Sequence, residues 1–131
     1  MRMRAVPDAA RSPLIAQFRA VRALSVALVA PLSDADATAQ SMEDASPAKW
    51  HLAHTSWFLE TFVLRDFVGG YTLYDDRFPF LFNSYYEAEG KRHARSRRGL
   101  VTRPSLDEIL AYRAHVDAAV AAALPDLPAA A

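Results

Sequence analysis

Apolar residues recur along this chain with helical spacing in three places, separated by a polar connector and by a long aromatic stretch with no steady period. Leu14, Phe18, Val21, Leu24 and Leu28 form the first stripe, with Arg19 and Arg22 off it. Ser12-Pro13 supplies a cap-then-proline start and Pro31 a stop, so the pattern predicts an amphipathic helix over about 12–30. The second stretch, SPAKWHLAHTSWFLETFVLRDF from Ser46 to Phe67, places Trp50, Leu52, Trp57, Phe58, Phe62, Leu64 and Phe67 on most faces of a helix. A helix apolar all round is buried. Ser46 as N-cap, Pro47 at the first helical position and Gly69-Gly70 as the stop set it at about 46–68. The third begins at the capping box Ser105-Leu106-Asp107-Glu108, and Leu106, Ile109, Leu110, Arg113, Val116 and Val120 carry its period to about Ala123.

The segments between these helices differ in kind. LSDADATAQSMEDA is polar and turn-rich, a connector. Residues 70–104 show neither helical nor strand periodicity, yet Tyr71, Tyr74, Phe78, Phe80, Phe82, Tyr85 and Tyr86 must lie against something. An ordered loop over one end of the helices follows, with a short helical turn near Phe80 to Tyr86. Residues 1–11 read as a loose lead-in and 124–131 as a tail. The expected class is all-α: an up-and-down bundle, incomplete because a closed one needs a fourth helix.

Composition narrows the function. With 131 residues and 52% hydrophobic content the chain builds one core. Fifteen basic and fifteen acidic residues cancel, which argues against a general nucleic-acid or membrane binder. There is no cysteine, so disulfides and thiolate metal sites are excluded, leaving imidazole and carboxylate as ligands. No apolar run reaches the roughly 18 residues of a membrane span, and Arg19 and Arg22 interrupt any secretory leader, so a cytoplasmic protein is expected.

Two features carry candidate chemistry. His51 and His54 stand three apart on the central helix, about 60° around and one turn along, so both rings can face one way. The spacing leaves open a metal pair and two hydrogen-bonded core or rim histidines; familiar helical metal pairs stand four apart. Lys91, Arg92, Arg95, Arg97, Arg98 and Arg103 form a basic run free of acidic residues. It reads as a solvated surface, as a carboxylate or phosphate site, or as a nucleic-acid patch, although no recognisable nucleic-acid module surrounds it. His115 reads as a surface or rim residue.

SPAKWHLAHTSWFLETFVL, FLFNSYYEAEG and RGLVTRPSLDEILAYRAHVDAAV together resemble the N-terminal part of the ergothioneine-biosynthesis sulfoxide synthases, the EgtB family. The likeness runs from about Ser12 to Leu124. It implies a DinB-like four-helix bundle. It also implies a non-haem iron(II) held by three histidines, one from the LAH motif and two from an HxxxH-type segment of the fourth helix. His54 matches the first ligand, and His51 is left to supporting that ligand or to structure. The family's HxRxxR stretch, whose arginines meet the carboxylates of the thiol substrate, is matched by His93, Arg95 and Arg98.

By the same resemblance the complete enzymes join cysteine or gamma-glutamylcysteine to hercynine, using dioxygen and giving a sulfoxide. This sequence departs from the pattern after Val120, where AAALPDLPAAA stands in place of the ligand-bearing helix; His93 and His115 do not match those ligands. The expectation is therefore a partial domain, its iron site completed by a C-terminal region or another chain. Three readings compete: this portion of the synthase, a non-catalytic helical module, and a fragment of a DinB-like metal- and thiol-dependent transferase.

Overall fold

The computed structural model describes residues 8–84 and 86–128; the lead-in before Asp8, Tyr85 and the tail residues 129–131 lie outside them. The helices are α1 (Asp8–Val29), α2 (Asp34–Thr38), α3 (Ala48–Leu59), α4 (Phe78–Phe82) and α5 (Leu106–Ala123). α3 continues directly into a π-helical segment, Glu60–Arg65, and short 3-10 turns cover Glu87–Glu89, Arg95–Leu100 and Leu124–Asp126. No strand occurs among the described residues, so the all-α class holds. None of the described helices is long and apolar enough to cross a membrane.

α3 is the central element, packed against α1, α2, α4 and α5. Its buried Trp50, Leu52, Ala53 and Trp57 meet Ile109, Tyr112, Val116 and Val120 of α5, and Phe78 and Phe82 of α4 close the same core. Ser105 caps α5 by accepting from the Glu108 N–H at 3.2 Å. A second free N–H of that end, on Leu106, donates to Asp34 of α2 at 2.7 Å. The polar connector thus caps the start of α5 from outside.

Several boundaries differ from the sequence reading. α1 begins at Asp8, which puts Pro13 inside it instead of at its start. α3 begins at Ala48 with Pro47 as an N-cap that makes no side-chain bond, and the Ser46 hydroxyl accepts from Arg98 instead. The segment 70–104 is ordered in pieces, with its helical turn at Phe78–Phe82.

The largest difference concerns α1. Its apolar stripe does not face the core: Val21, Leu24 and Leu28 are 63%, 59% and 71% exposed, while Arg22 is 7% exposed. Arg22 turns inward because its donors are met there. Nε donates to Asp117 at 2.5 Å, Nη2 to Ser56 Oγ at 2.6 Å and Nη1 to Thr55 Oγ1 at 3.3 Å. Arg113, 1% exposed, adds bonds to Leu52 O and Thr55 Oγ1, both at 2.9 Å, and to Arg22 O at 3.2 Å. Burial first, and then the neighbouring Arg22 charge, lower the Arg113 pKa to about 10. α1, α3 and α5 are therefore joined by hydrogen-bonded guanidinium groups as well as by apolar contact.

Glu60 opens the π-helical segment and is fully buried. A carboxylate taken from water needs donors, and three reach it: Tyr71 Oη at 2.5 Å and the Tyr74 N–H at 3.0 Å on one oxygen, Tyr112 Oη at 3.0 Å on the other. The extra residue of the π turn is the kind of local irregularity that re-aims a side chain. Both phenols are pushed above their usual range, by burial first and then by Glu60. The aromatic segment is thus tied to α3 and α5 at one carboxylate. Glu60→Ala strands those donors and is expected to cost roughly 3 kcal/mol or more in urea unfolding, with Glu60→Gln closer to wild type.

Candidate functional site

The site is assembled by the backbone at the C-terminal end of α4, where Phe82 and Asn83 are buried. The last carbonyls of a helix lack partners inside it, and here four successive ones are taken by residues distant in sequence. Phe80 O accepts from the His93 N–H at 2.8 Å, Leu81 O from Trp50 Nε1–H at 2.9 Å, and Phe82 O from His54 Nδ1–H at 2.6 Å. Asn83 O meets Arg98 Nη2 at a longer 3.5 Å. Every matched motif position except Arg95 is anchored on that one row.

His54 is fixed in chemistry as well as in position. A carbonyl only accepts, so Nδ1 carries the proton and a neutral ring keeps its lone pair on Nε2. Burial lowers the His54 pKa; the Phe82 bond opposes the shift, and Arg98 and His51 add to it. The ring stacks on Trp50 at 4.6 Å and 9°, with Trp57 at 5.6 Å and 21°. It lines an apolar groove of about 470 Å³ between α1 and α3, walled by Leu14, Phe18, Val21, Phe58 and Leu59. An oriented, neutral imidazole whose other nitrogen bonds a backbone carbonyl is the arrangement of a metal-binding histidine.

His51 is exposed and lies edge-on to Trp50, and the groove lining does not include it. His115 is exposed and packs against Tyr74 at 5.1 Å. Among the described residues no group of three or more His, Cys, Asp or Glu side chains is placed to hold a metal ion.

The basic run folds into a separate place. Arg92, His93, Arg95 and Arg98 line a polar cavity of about 460 Å³, with Glu43 and Asp44 on its acidic side. Arg95 is half-buried. Arg98 is 4% exposed, gives Nη1 to Ser46 Oγ at 2.8 Å and lays its guanidinium 3.6 Å from the centre of the Trp50 ring. Lys91 and Arg97 are exposed and do not line this cavity.

Gln40 sets the turn that carries these arginines. Its Nε2 donates to Arg95 O at 2.6 Å and its Oε1 accepts from the Gly99 N–H at 2.8 Å. Residues that the sequence reading passed over are therefore Trp50, which touches both candidate groups, and Gln40. Trp50 was visible as part of WHLAH; nothing local marks Gln40, which acts across 55 residues.

The match to known families is consistent with this architecture. A family model described as the DinB superfamily matches residues 17–131. The chain belongs to the DinB superfamily. No curated protein matches it. In this DinB-superfamily chain the central helix carries the candidate ligand, and the aromatic segment supplies the backbone that orients it.

Two outcomes are expected. A side chain at Gly99 would bring its Cβ to 2.6 Å from Gln40 Cβ, so Gly99→Ala should cost about 1–3 kcal/mol in chemical unfolding. Because the folded His54 pKa lies below its ordinary 6.5, the unfolded chain takes up the proton first. Stability from this neutral ring is complete above about pH 6.5 and is lost as pH falls toward the folded value. The urea midpoint should therefore drop between about pH 7.5 and 5.5, and drop less in His54→Gln, compared at equal salt.

Proposed function

We propose that this chain is the N-terminal portion of a non-haem iron(II), dioxygen-dependent sulfoxide synthase that joins a cysteine-type thiol to hercynine. The observation that carries the reading is His54, held in one tautomer by Phe82 O and lining the apolar groove between α1 and α3. Its donor chemistry fits one ligand of an iron site. Iron(II) bound there would supply a Lewis-acidic, redox-active centre with open positions for a thiol and dioxygen.

The described residues offer no complete ligand set. In this reading the other two ligands are histidines on a further helix that seats on the groove between α1 and α3, supplied by a C-terminal region or another chain. The exposed face of α1 supports such a seat, since Leu14, Val21, Leu24 and Leu28 continue the apolar wall. His54 fixes the metal position, and the groove wall keeps water from the reacting groups. Arg95 and Arg98, lining the polar cavity, orient the carboxylate of cysteine or gamma-glutamylcysteine by charge-assisted hydrogen bonds.

A second reading has one observation in its favour. With no group of three or more ligating side chains among the described residues, the isolated chain suits a non-catalytic helical module, or a fragment of a metal- and thiol-dependent transferase of the same superfamily. Anaerobic iron(II) calorimetry separates them. Wild type and His54→Ala are titrated with and without a helical peptide bearing two histidines four residues apart. Binding that needs both the peptide and His54 supports the synthase reading, and no binding by folded protein in any combination leaves the helical module.

A further inference from the structure

The groove holding His54 and the cavity holding Arg98 have no lining residue in common. One side chain nevertheless touches both groups. Trp50, 5% exposed, carries the Arg98 guanidinium against its ring at 3.6 Å and stacks with the His54 imidazole at 4.6 Å. The three side chains are also fixed to consecutive carbonyls, Trp50 to Leu81, His54 to Phe82 and Arg98 to Asn83.

We propose that Arg98 and Trp50 act as a positioning pair for His54, so that the base of the polar cavity and the imidazole on the groove form one mechanical unit. The physical case is as follows. Stacking alone permits an imidazole to flip about its Cβ–Cγ bond, which puts Cδ2 where Nδ1 was and frees the ring proton to move to Nε2. The Phe82 carbonyl selects one orientation, and that carbonyl stays in register only while its neighbours on α4 are held. α4 has five residues, too few to be stable alone.

Arg98 is the member that closes the unit from the far side. Its buried guanidinium gives Nη1 to Ser46 Oγ and Nη2 to Asn83 O and lies on the face of Trp50, a desolvated cation–π contact. A planar guanidinium serves both bonds and face at once; an ammonium does not. Arg95 of the same turn is half-buried, lines the polar cavity and accepts from Gln40 through its carbonyl, and serves as the comparison for Arg98.

The proposal rests on the reading of His54 as the functional donor, but its test needs no metal. Long-range proton–nitrogen correlation spectra of the histidine rings, recorded on the whole chain at a fixed pH of about 7.5, report which nitrogen of His54 is protonated. In wild type the Nδ1–H form should exceed the other by about tenfold or more. In Trp50→Leu and Arg98→Met the two forms should come within about threefold of each other, while Trp50→Phe, which keeps a stacking face, stays nearer wild type.

Arg95→Met should leave the His54 spectrum unchanged. If Arg98→Met does not fold, Arg98→Lys reads the same point, because it keeps the charge without the planar stack. A wild-type His54 spectrum in a folded Arg98→Met or Arg98→Lys protein, judged by unchanged amide resonances of α5, overturns the proposal. Failure of the iron titration with an intact His54 spectrum would sink the proposed function alone, and the two failures are distinguishable.

Discussion

The unpaired carbonyls at the end of α4 are the constraint on which the candidate site depends. A helix of five residues has more free backbone groups than internal bonds, and leaving them buried without donors costs more than so short an element can return. Residues from α3 and from the basic turn supply the donors. In doing so they take fixed positions, so satisfying the backbone and aligning the functional side chains are one event. The arrangement explains why an irregular, aromatic segment is ordered: its rings fill the core beside α5 while its backbone binds α3.

The same economy of partners governs the three long helices. Arg22 and Arg113 enter the interior because hydroxyls, carbonyls and Asp117 meet their donors there. Their burial also leaves the stripe of α1 outward, and the groove beside His54 stays apolar as a result. Glu60 repeats the principle at the other end of α3, where two phenols and one backbone N–H converge on one carboxylate. Hydrogen-bonded polar groups decide how these helices are rotated and where the loop is tied down.

The separation of the two pockets has a chemical consequence. A neutral imidazole beside an apolar groove and arginines in a polar cavity are environments that would spoil one another if merged, since a guanidinium nearby disfavours both protonation of the ring and binding of a cation. The Trp50 ring keeps them in contact without mixing them. Its indole N–H has one acceptor, Leu81 O, and both neighbours use its faces or edges.

His54, Arg95 and Arg98 stood out through the family resemblance of their motifs; the sequence by itself determined the helical class, the end of the central helix at Gly69-Gly70 and the cap at Ser105. These follow from local physics: apolar period, side-chain caps and the backbone freedom of glycine, with Gly70 at φ 75°. Only the tertiary structure decided that Arg22 points in and Leu24 out, that Ser46 serves Arg98 instead of a helix start, and that Gln40 holds the basic turn. Each of those depends on a partner 34 to 95 residues away. Hydrophobic period ranks residues by their own cost of burial, whereas a buried guanidinium is stabilised by acceptors that lie nowhere near it in the chain.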